Sequence, residues 1–319
     1  MKKTVIYHSA DFDGIFCREI ARHFLGDKDV NYIGWNFGDP IIEVPKEDVV
    51  YVMDLPLDAP LGIVPAHSYP VFDKVPKIVW IDHHASSIAS HAKDIPGYRI
   101  DGVAACRLAW QWFSACRRAD AHQSGPESKK WAIEHFPWPL RQDFVDCKVY
   151  EPVAVRLAGE YDVWDKRDPD AETFQYALRA TDLTAYWPGL LDLSMDSELT
   201  NCQASQAVVY SIMPSGRAAQ RYAQTVDAGN MKASFLTQWE GLNFLCLNGR
   251  GNSITFASRD MPETGHDALM MFFFNGKKWI FSLYHARHRT DLDLSAIAVR
   301  HGGGGHKGAC GFTTDHFLF

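Results

Sequence analysis

"TVIYHSADFDGIFCREIARHFLG", residues 4 to 26, changes period in its middle. The first half is a β-branched and aromatic run that ends at an aspartate. The second half places Ile15, Phe16, Ile20, Phe24 and Leu25 on roughly one helical face, with Gly26 positioned as a C-cap. The opening half recurs in "VVYVMD" (49 to 54) and "KIVWID" (77 to 82). Runs apolar on both faces are characteristic of buried parallel strands. Strand, helix and strand in that order predict an α/β fold with an N-terminal doubly wound, mostly parallel sheet. Ligands in such sheets gather outside the carboxyl ends of the strands. Asp11, Asp13, Asp54 and Asp82 are therefore expected to converge there.

At 319 residues with 46% hydrophobic content, the chain is long enough for two domains rather than one. Neither a signal-peptide apolar region nor a membrane-length apolar run is present in the sequence, which predicts a cytoplasmic protein. The seven cysteines are scattered, without a C-x-x-C pair, and read as reduced thiols. A formal net charge of −7 argues against a partner of long nucleic acid held by counterion release, and leaves room for a small anionic ligand at a local positive site.

Each aspartate taken singly is a plausible helix N-cap. As a set they need another explanation, because several carboxylates at one sheet edge repel one another unless cations neutralise them. His83 and His84, in "WIDHHASS" (80 to 87), add imidazole nitrogens at the same edge. Carboxylate oxygens with imidazole and no thiolate suit Mn²⁺ or Mg²⁺ better than a structural zinc.

"HSADFDG" (8 to 14), "VMDLP" (52 to 56), "IDHHASS" (81 to 87) and "GEYDVWD" (159 to 165) follow the order of the four metal-site motifs of the DHH superfamily of phosphoesterases. "HGGGGHKGACGF" (301 to 312) resembles the glycine-rich signature of the DHH-associated C-terminal domain. The resemblance implies two Mn²⁺ ions, with Mg²⁺ or Co²⁺ as substitutes. Asp11 and Asp54 would hold the first, and Asp13, Asp54, His83 and Asp162 the second. His8 is either a further ligand or a nearby hydrogen-bonding residue, and Glu160 and Asp165 compete with Asp162. His84 would face the scissile phosphate as the catalytic contact or proton donor, with Asp82 orienting the histidine pair. Two metals so placed lower the pKa of a water and stabilise charge on phosphoryl oxygens.

The implied organisation is a catalytic domain over 1–195, a helical connector over 196–234 interrupted at "MPSG", and a smaller α/β domain with a glycine-rich loop over 235–319. "GVAACRLAWQWFSAC" (102 to 116) reads as a buried helix, residues 117–144 as an irregular excursion, and "VYEPVAVRLAGEYD" as a helix delivering Asp162. In the last domain "NFLCLNG", "SITFASR", "ALMMFFFNG" and "KWIFSLYHAR" read as strands. Gly303, Gly304 and Gly305 would present backbone amides to a substrate anion, with His306, Lys307 and Arg287 supplying donors and charge. Arg287 and its neighbour Arg289 are either phosphate contacts or solvated cations.

The implied activity is metal-dependent hydrolysis of a phosphodiester or phosphomonoester. Short oligonucleotides come first as substrate, then linear or cyclic dinucleotides and 3′-phosphoadenosine-5′-phosphate. A pyrophosphatase or polyphosphatase, or a catalytically silent nucleotide-binding regulator, is the alternative. No membrane partner is implied, and a homodimer is compatible.

Overall fold

A computed structural model describes residues 2–44, 48–62, 78–90, 95–122, 150–165, 167–194 and 204–319. The chain divides into two compact units, Met1–Arg217 and Ala218–Phe319. The first opens with β1 (Lys3–His8), α1 (Phe12–Leu25), β2 (Val30–Trp35), β3 (Val49–Met53), the single turn α2 (Asp58–Leu61) and β4 (Ile78–Ile81). Sheet order is β2-β1-β3-β4, with every pair parallel. Because β2 and β3 flank β1 on opposite sides, the chain reverses direction across the sheet there. That reversal opens a crevice at the strands' carboxyl ends.

Among the described residues the helices that follow are α3 (Ala85–Ser90), α4 (Ala105–His122), α5 (Val153–Asp162) and α6 (Asp170–Ala180). After them come α7 (Trp187–Leu190) and α8 (Ala204–Asn230). One sheet face is buried under α1, α4, α5 and α6, with Phe16, Trp112, Leu157 and Phe174 in its core. The other face buries Ile6, Val52, Leu55 and Trp80, with Ile42, Val44 and Leu61 packed against them. Trp80 is fully buried there because its Nε1–H donates to Leu55 O at 2.8 Å, which removes the cost of an unpaired indole.

Several expectations need correction. β2, "VNYIGW", was not anticipated, since as an edge strand it is only partly buried and its apolar pattern is diluted by Asn31 and Gly34. α4 begins at Ala105 rather than Gly102, whose φ of +83° is not helical, and it continues past Cys116 to His122. The rest of the expected excursion, with His135, falls among residues 123–149 and lies outside the described residues. "MPSG" does not interrupt α8, which carries Pro214 internally. Packing overrides propensity at that point: Ile212 and Met213 are buried, and Gly216 approaches Thr173 O and Ala177 of α6 so closely that a Cβ would lie 2.4 Å from that oxygen. The first residues of the expected connector, 196–203, lie outside the described residues, and the unit division falls inside α8.

The second unit is a six-stranded mixed sheet, β5 (Phe235–Trp239), β6 (Leu242–Asn248), β7 (Ala268–Phe274), β8 (Trp279–His285), β9 (Gly304–His306) and β10 (Ala309–Thr314). Its order is β5-β6-β7-β8-β10-β9, antiparallel except for β6 with β7. Helix α9 (Ser295–Arg300) buries Ile297 and Ala298 in a core with Phe281 and Phe312. "SITFASR" is not a strand. Asn252 accepts from Ile254 N–H at 2.9 Å and caps a 3₁₀ turn over Ser253–Phe256. No helix among the described residues is long and apolar enough to cross a membrane.

Candidate metal centre

The carboxyl ends of β1, β3 and β4 carry the residues that the motifs single out. His8 is the last residue of β1, and Asp11 caps α1 by accepting from Gly14 N–H at 3.1 Å. A Cβ on Gly14 would lie 1.9 Å from His8 O, so only glycine lets the first turn of α1 close against the end of β1. This approach places His8 Nδ1 3.0 Å from Asp11 Oδ2. Asp54 follows β3 in a left-handed conformation, φ +57°, with its N–H held by Ile81 O at 2.9 Å. Strained backbone of this kind at a non-glycine residue is kept where the surroundings impose it.

Asp54 stands between the two histidines. Its Oδ2 is 3.6 Å from His8 Nδ1 and its Oδ1 3.4 Å from His83 Nε2. The same His83 nitrogen is 3.6 Å from Asp13 Oδ2 and 3.4 Å from Asp162 Oδ2, the latter delivered by the last residue of α5. Donor atoms therefore fall into two neighbouring groups, His8 with Asp11 and Asp54, and Asp13 with His83 and Asp162; within each group the atoms lie within 4.8 Å of one another. Asp54 touches both. The competitors of Asp162 are engaged elsewhere, Glu160 with Arg156 at 2.9 Å and Asp165 with Arg167 at 2.5 Å. Trp164, next but one after Asp162, makes a ring contact with Tyr161, 5.7 Å between centroids.

Asp82 is fully buried and organises the histidine pair. Its Oδ1 accepts from the N–H of His83 at 2.8 Å and lies 2.6 Å from His84 Nδ1. Its Oδ2 is buried without a hydrogen-bond partner among the described residues. A contact invisible in the sequence is that of Asp13, whose oxygens accept from Ala105 N–H at 2.8 Å and Cys106 N–H at 2.7 Å. The signal for it was an absence: α4 starts after Val103 and Ala104, neither of which can cap it, so its first N–H groups needed a distant acceptor.

The electrostatics show an unmet demand for positive charge. Burial, reinforced by the charge of Asp54, pushes the Asp13 carboxyl up to about 7. Burial and the charge of Asp13 push Asp162 well above the usual carboxylate range. Burial works against a charged His8, but hydrogen bonds to Asp11 and Asp54 override it and raise the imidazole to about 10. His83 is raised in the same way by Asp54, Asp162 and Asp13, and His84 by Asp82. Burial would raise Asp54, yet its bonds to His8 and His83 hold it below its ordinary value. Left to itself, the cluster must retain protons to offset its carboxylates. Divalent cations answer the same demand, and an all-oxygen and imidazole donor set fits Mn²⁺, Mg²⁺ or Co²⁺.

No family model matches this sequence, and no curated protein does. Solved structures do. The chain is similar to a pGpG-specific phosphodiesterase from Vibrio cholerae, at 14% identity over 98% of this chain and 93% of that one, with a TM-score of 0.38. It is similar to RecJ from Thermus thermophilus in complex with Mn²⁺, at 16% identity over 98% of this chain and 50% of that one, TM-score 0.47. It is also similar to the DHH domain of a member of the s1p family of ribosomal proteins, at 13% identity over 97% and 82%, TM-score 0.49. At such identities and TM-scores these likenesses assign no activity, and the chemistry rests on the side chains themselves.

In the second unit the glycine-rich stretch is not the open loop expected from its sequence. Gly303 N–H donates to Ala298 O at 2.8 Å and Gly302 N–H to Val299 O at 3.0 Å, the paired bonds of a Schellman cap on α9. A Cβ on Gly303 would meet Gly311 O at 2.0 Å, so this glycine answers a packing need. Gly304, Gly305 and His306 form the edge strand β9, paired with Gly311, Cys310 and Ala309. His301 bonds Glu240 at 3.0 Å and stacks on Phe312, while Lys307 O accepts from Leu294 N–H at 3.0 Å. Arg289 is spent on Asp267 and Asp291. Arg287 keeps an exposed side chain, with its backbone N–H held by Asp260.

Proposed function

We propose that this protein is a metal-dependent phosphoesterase of the DHH type, hydrolysing phosphodiester or phosphomonoester bonds of short oligonucleotides or small nucleotides. The observation that carries the reading is the placement of Asp54 between two donor groups, in contact with the histidine of each. Asp11, Asp54 and His8 would hold one divalent ion, and Asp13, Asp54, His83 and Asp162 a second, with Mn²⁺ preferred. Bound there, the ions would supply a water of lowered pKa and a positive field for phosphoryl oxygens.

The remaining work belongs to the chain's own groups. Asp82 fixes the His84 ring by its Nδ1 edge and, against the opposing effect of burial, raises its pKa, which favours the protonated ring. From Nε2 it can donate that proton to a phosphoryl or leaving-group oxygen. Asp13, tied to the N-terminal amides of α4, holds its ligand oxygen rigidly against that helix. The reading assigns catalysis to residues 1–195. It assigns substrate recognition to 235–319, where His306, Lys307 and Arg287 would contact the part of the substrate that is not cut.

The test is hydrolysis with Mn²⁺ of a panel comprising a dinucleotide, a five-nucleotide RNA, a cyclic dinucleotide, 3′-phosphoadenosine-5′-phosphate and pyrophosphate, each repeated with Asp54→Asn. Preference for the dinucleotide or short RNA, lost in the variant, is expected. Preference for pyrophosphate would overturn the substrate class, and metal-independent turnover would overturn the chemistry.

A further inference from the structure

One exposed aromatic side chain stands at the rim of the candidate metal centre. Phe37 lies just past the carboxyl end of β2, where Trp35 is in register with His8, the last residue of β1. Its ring meets that of His8 edge to face, with centroids 6.1 Å apart and planes at 73°. It meets Trp35 in the same way, at 5.6 Å and 69°. His8 in turn brings Nδ1 to Asp11 and Asp54. Phe37 is therefore one ring contact away from the donor atoms, yet 63% of its surface is open to solvent.

The turn that carries Phe37 is closed and anchored. Asp39 N–H donates to Asn36 O at 2.9 Å, and Asn36 N–H donates to the Asp39 carboxylate at 2.8 Å. Gly38 takes a φ of +101°, which favours glycine. Ser9 ties the turn to the end of β1, donating its hydroxyl to Asn36 Oδ1 at 3.2 Å and its N–H to Trp35 O at 3.3 Å. On the far side Trp35 Nε1–H donates to Pro40 O at 2.9 Å. Asn36, Gly38 and Asp39 are the residue types that such a turn uses, and the turn itself gives no reason for an apolar ring between them. Isolated exposed hydrophobic residues are common. This one is set apart because two ring contacts hold it against the metal centre.

We propose, on the phosphoesterase reading above, that Phe37 stacks on a nucleobase of the substrate and so selects nucleotides over inorganic phosphate anions. Every base has a π-face, so one aromatic ring serves any of the four. Pyrophosphate and polyphosphate have no apolar part to cover the ring, and the negative face of its quadrupole opposes an anion. A substrate that is anionic at one end and aromatic at the other accounts for both the donor atoms and the open ring beside them.

The full chain is tested in Mn²⁺ with a dinucleotide and with an analogue in which both bases are replaced by hydrogen. Phe37→Ala is expected to lower the ratio of kcat/KM between the two by about 5- to 150-fold, through KM, as loss of one base–aromatic stack does. Calorimetry with a non-hydrolysable dinucleotide, its scissile ester oxygen replaced by methylene, should show the same rise in Kd. Phe37→Trp should restore both, and Phe37→Leu, apolar without a π-face, should not. An unchanged ratio and Kd in Phe37→Ala, or full recovery in Phe37→Leu, would overturn the proposal, while dinucleotide hydrolysis by the natural chain would keep the phosphoesterase reading in place. Hydrolysis of pyrophosphate and of no dinucleotide by the natural chain would overturn this proposal and the nucleotide substrate class together.

Discussion

The carboxyl edge of the parallel sheet and the glycine turn of the mixed sheet are the two places where unusual residues crowd together, and they are built in opposite ways. At the sheet edge polar demand exceeds supply: Asp13 is driven up by burial and the charge of Asp54, Asp162 by burial and the charge of Asp13, and Asp82 Oδ2 has no partner among the described residues. In the glycine turn the backbone groups are used by the turn itself, Gly302 and Gly303 in capping α9 and Gly304 to His306 in pairing with β10. Crowded residues with unmet electrostatic demand point to a ligand. Crowded residues whose groups are satisfied point to architecture.

The largest expected effect breaks the first region. Asp54→Asn removes the carboxylate shared by both donor groups and should lower kcat by on the order of 10³-fold, the loss typical of removing a preorganised electrostatic element. Its unfolding transition should remain cooperative. Asp82→Asn leaves every proposed ligand in place but loosens His83 and His84. A loss of about 10- to 100-fold is expected, as for other groups that orient metal ligands. Steady-state kinetics with Mn²⁺ checks both.

The charge imbalance has its own signature in pH. In the metal-free chain Asp13 titrates at about 7, against about 3.9 when unfolded, so between pH 4 and 7 the folded state binds more protons. Stability in chelator should therefore fall as pH rises through that window. His8 acts in the same direction at higher pH: its contribution is complete below about 6.5 and is lost as pH rises through about 10. Urea melts at pH 5 and pH 7 test this, and Mn²⁺ should remove the decline by supplying the missing charge. Metal binding should release protons and weaken as pH falls.

The glycine turn gives the smallest effects and sharpens the contrast. Gly303→Ala, whose Cβ would meet Gly311 O at 2.0 Å, should cost about 1–3 kcal/mol in urea denaturation, as overpacking does. Gly304→Ala, one residue on and open to solvent, should change stability by less than about 0.5 kcal/mol. Equal costs at the two positions would mean that this turn does not work as described.

What the sequence made legible follows the same division. The aspartates after β1, β3 and β4 could be placed because apolar runs mark buried parallel strands, and such strands have one functional end. Asp162 could be picked out by its motif, although Glu160 and Asp165 stood close by in sequence. Arrangements that depend on tertiary contact were hidden. The bond from Asp13 to the start of α4 spans more than ninety residues, α8 runs through Pro214 because its buried face docks on α6, and β2 and β5 are edge strands with diluted patterns. In the four glycines flexible backbone suits a phosphate cradle and a Schellman cap equally, and the cap shows only in the partners of Gly302 and Gly303.

The central claim is that Asp54 joins two metal sites, and electron paramagnetic resonance of the Mn²⁺-loaded chain tests it most directly. The account predicts a spin-coupled pair in the natural sequence that gives way to isolated Mn²⁺ in Asp54→Asn. A natural chain showing only isolated Mn²⁺ at saturation would contradict it.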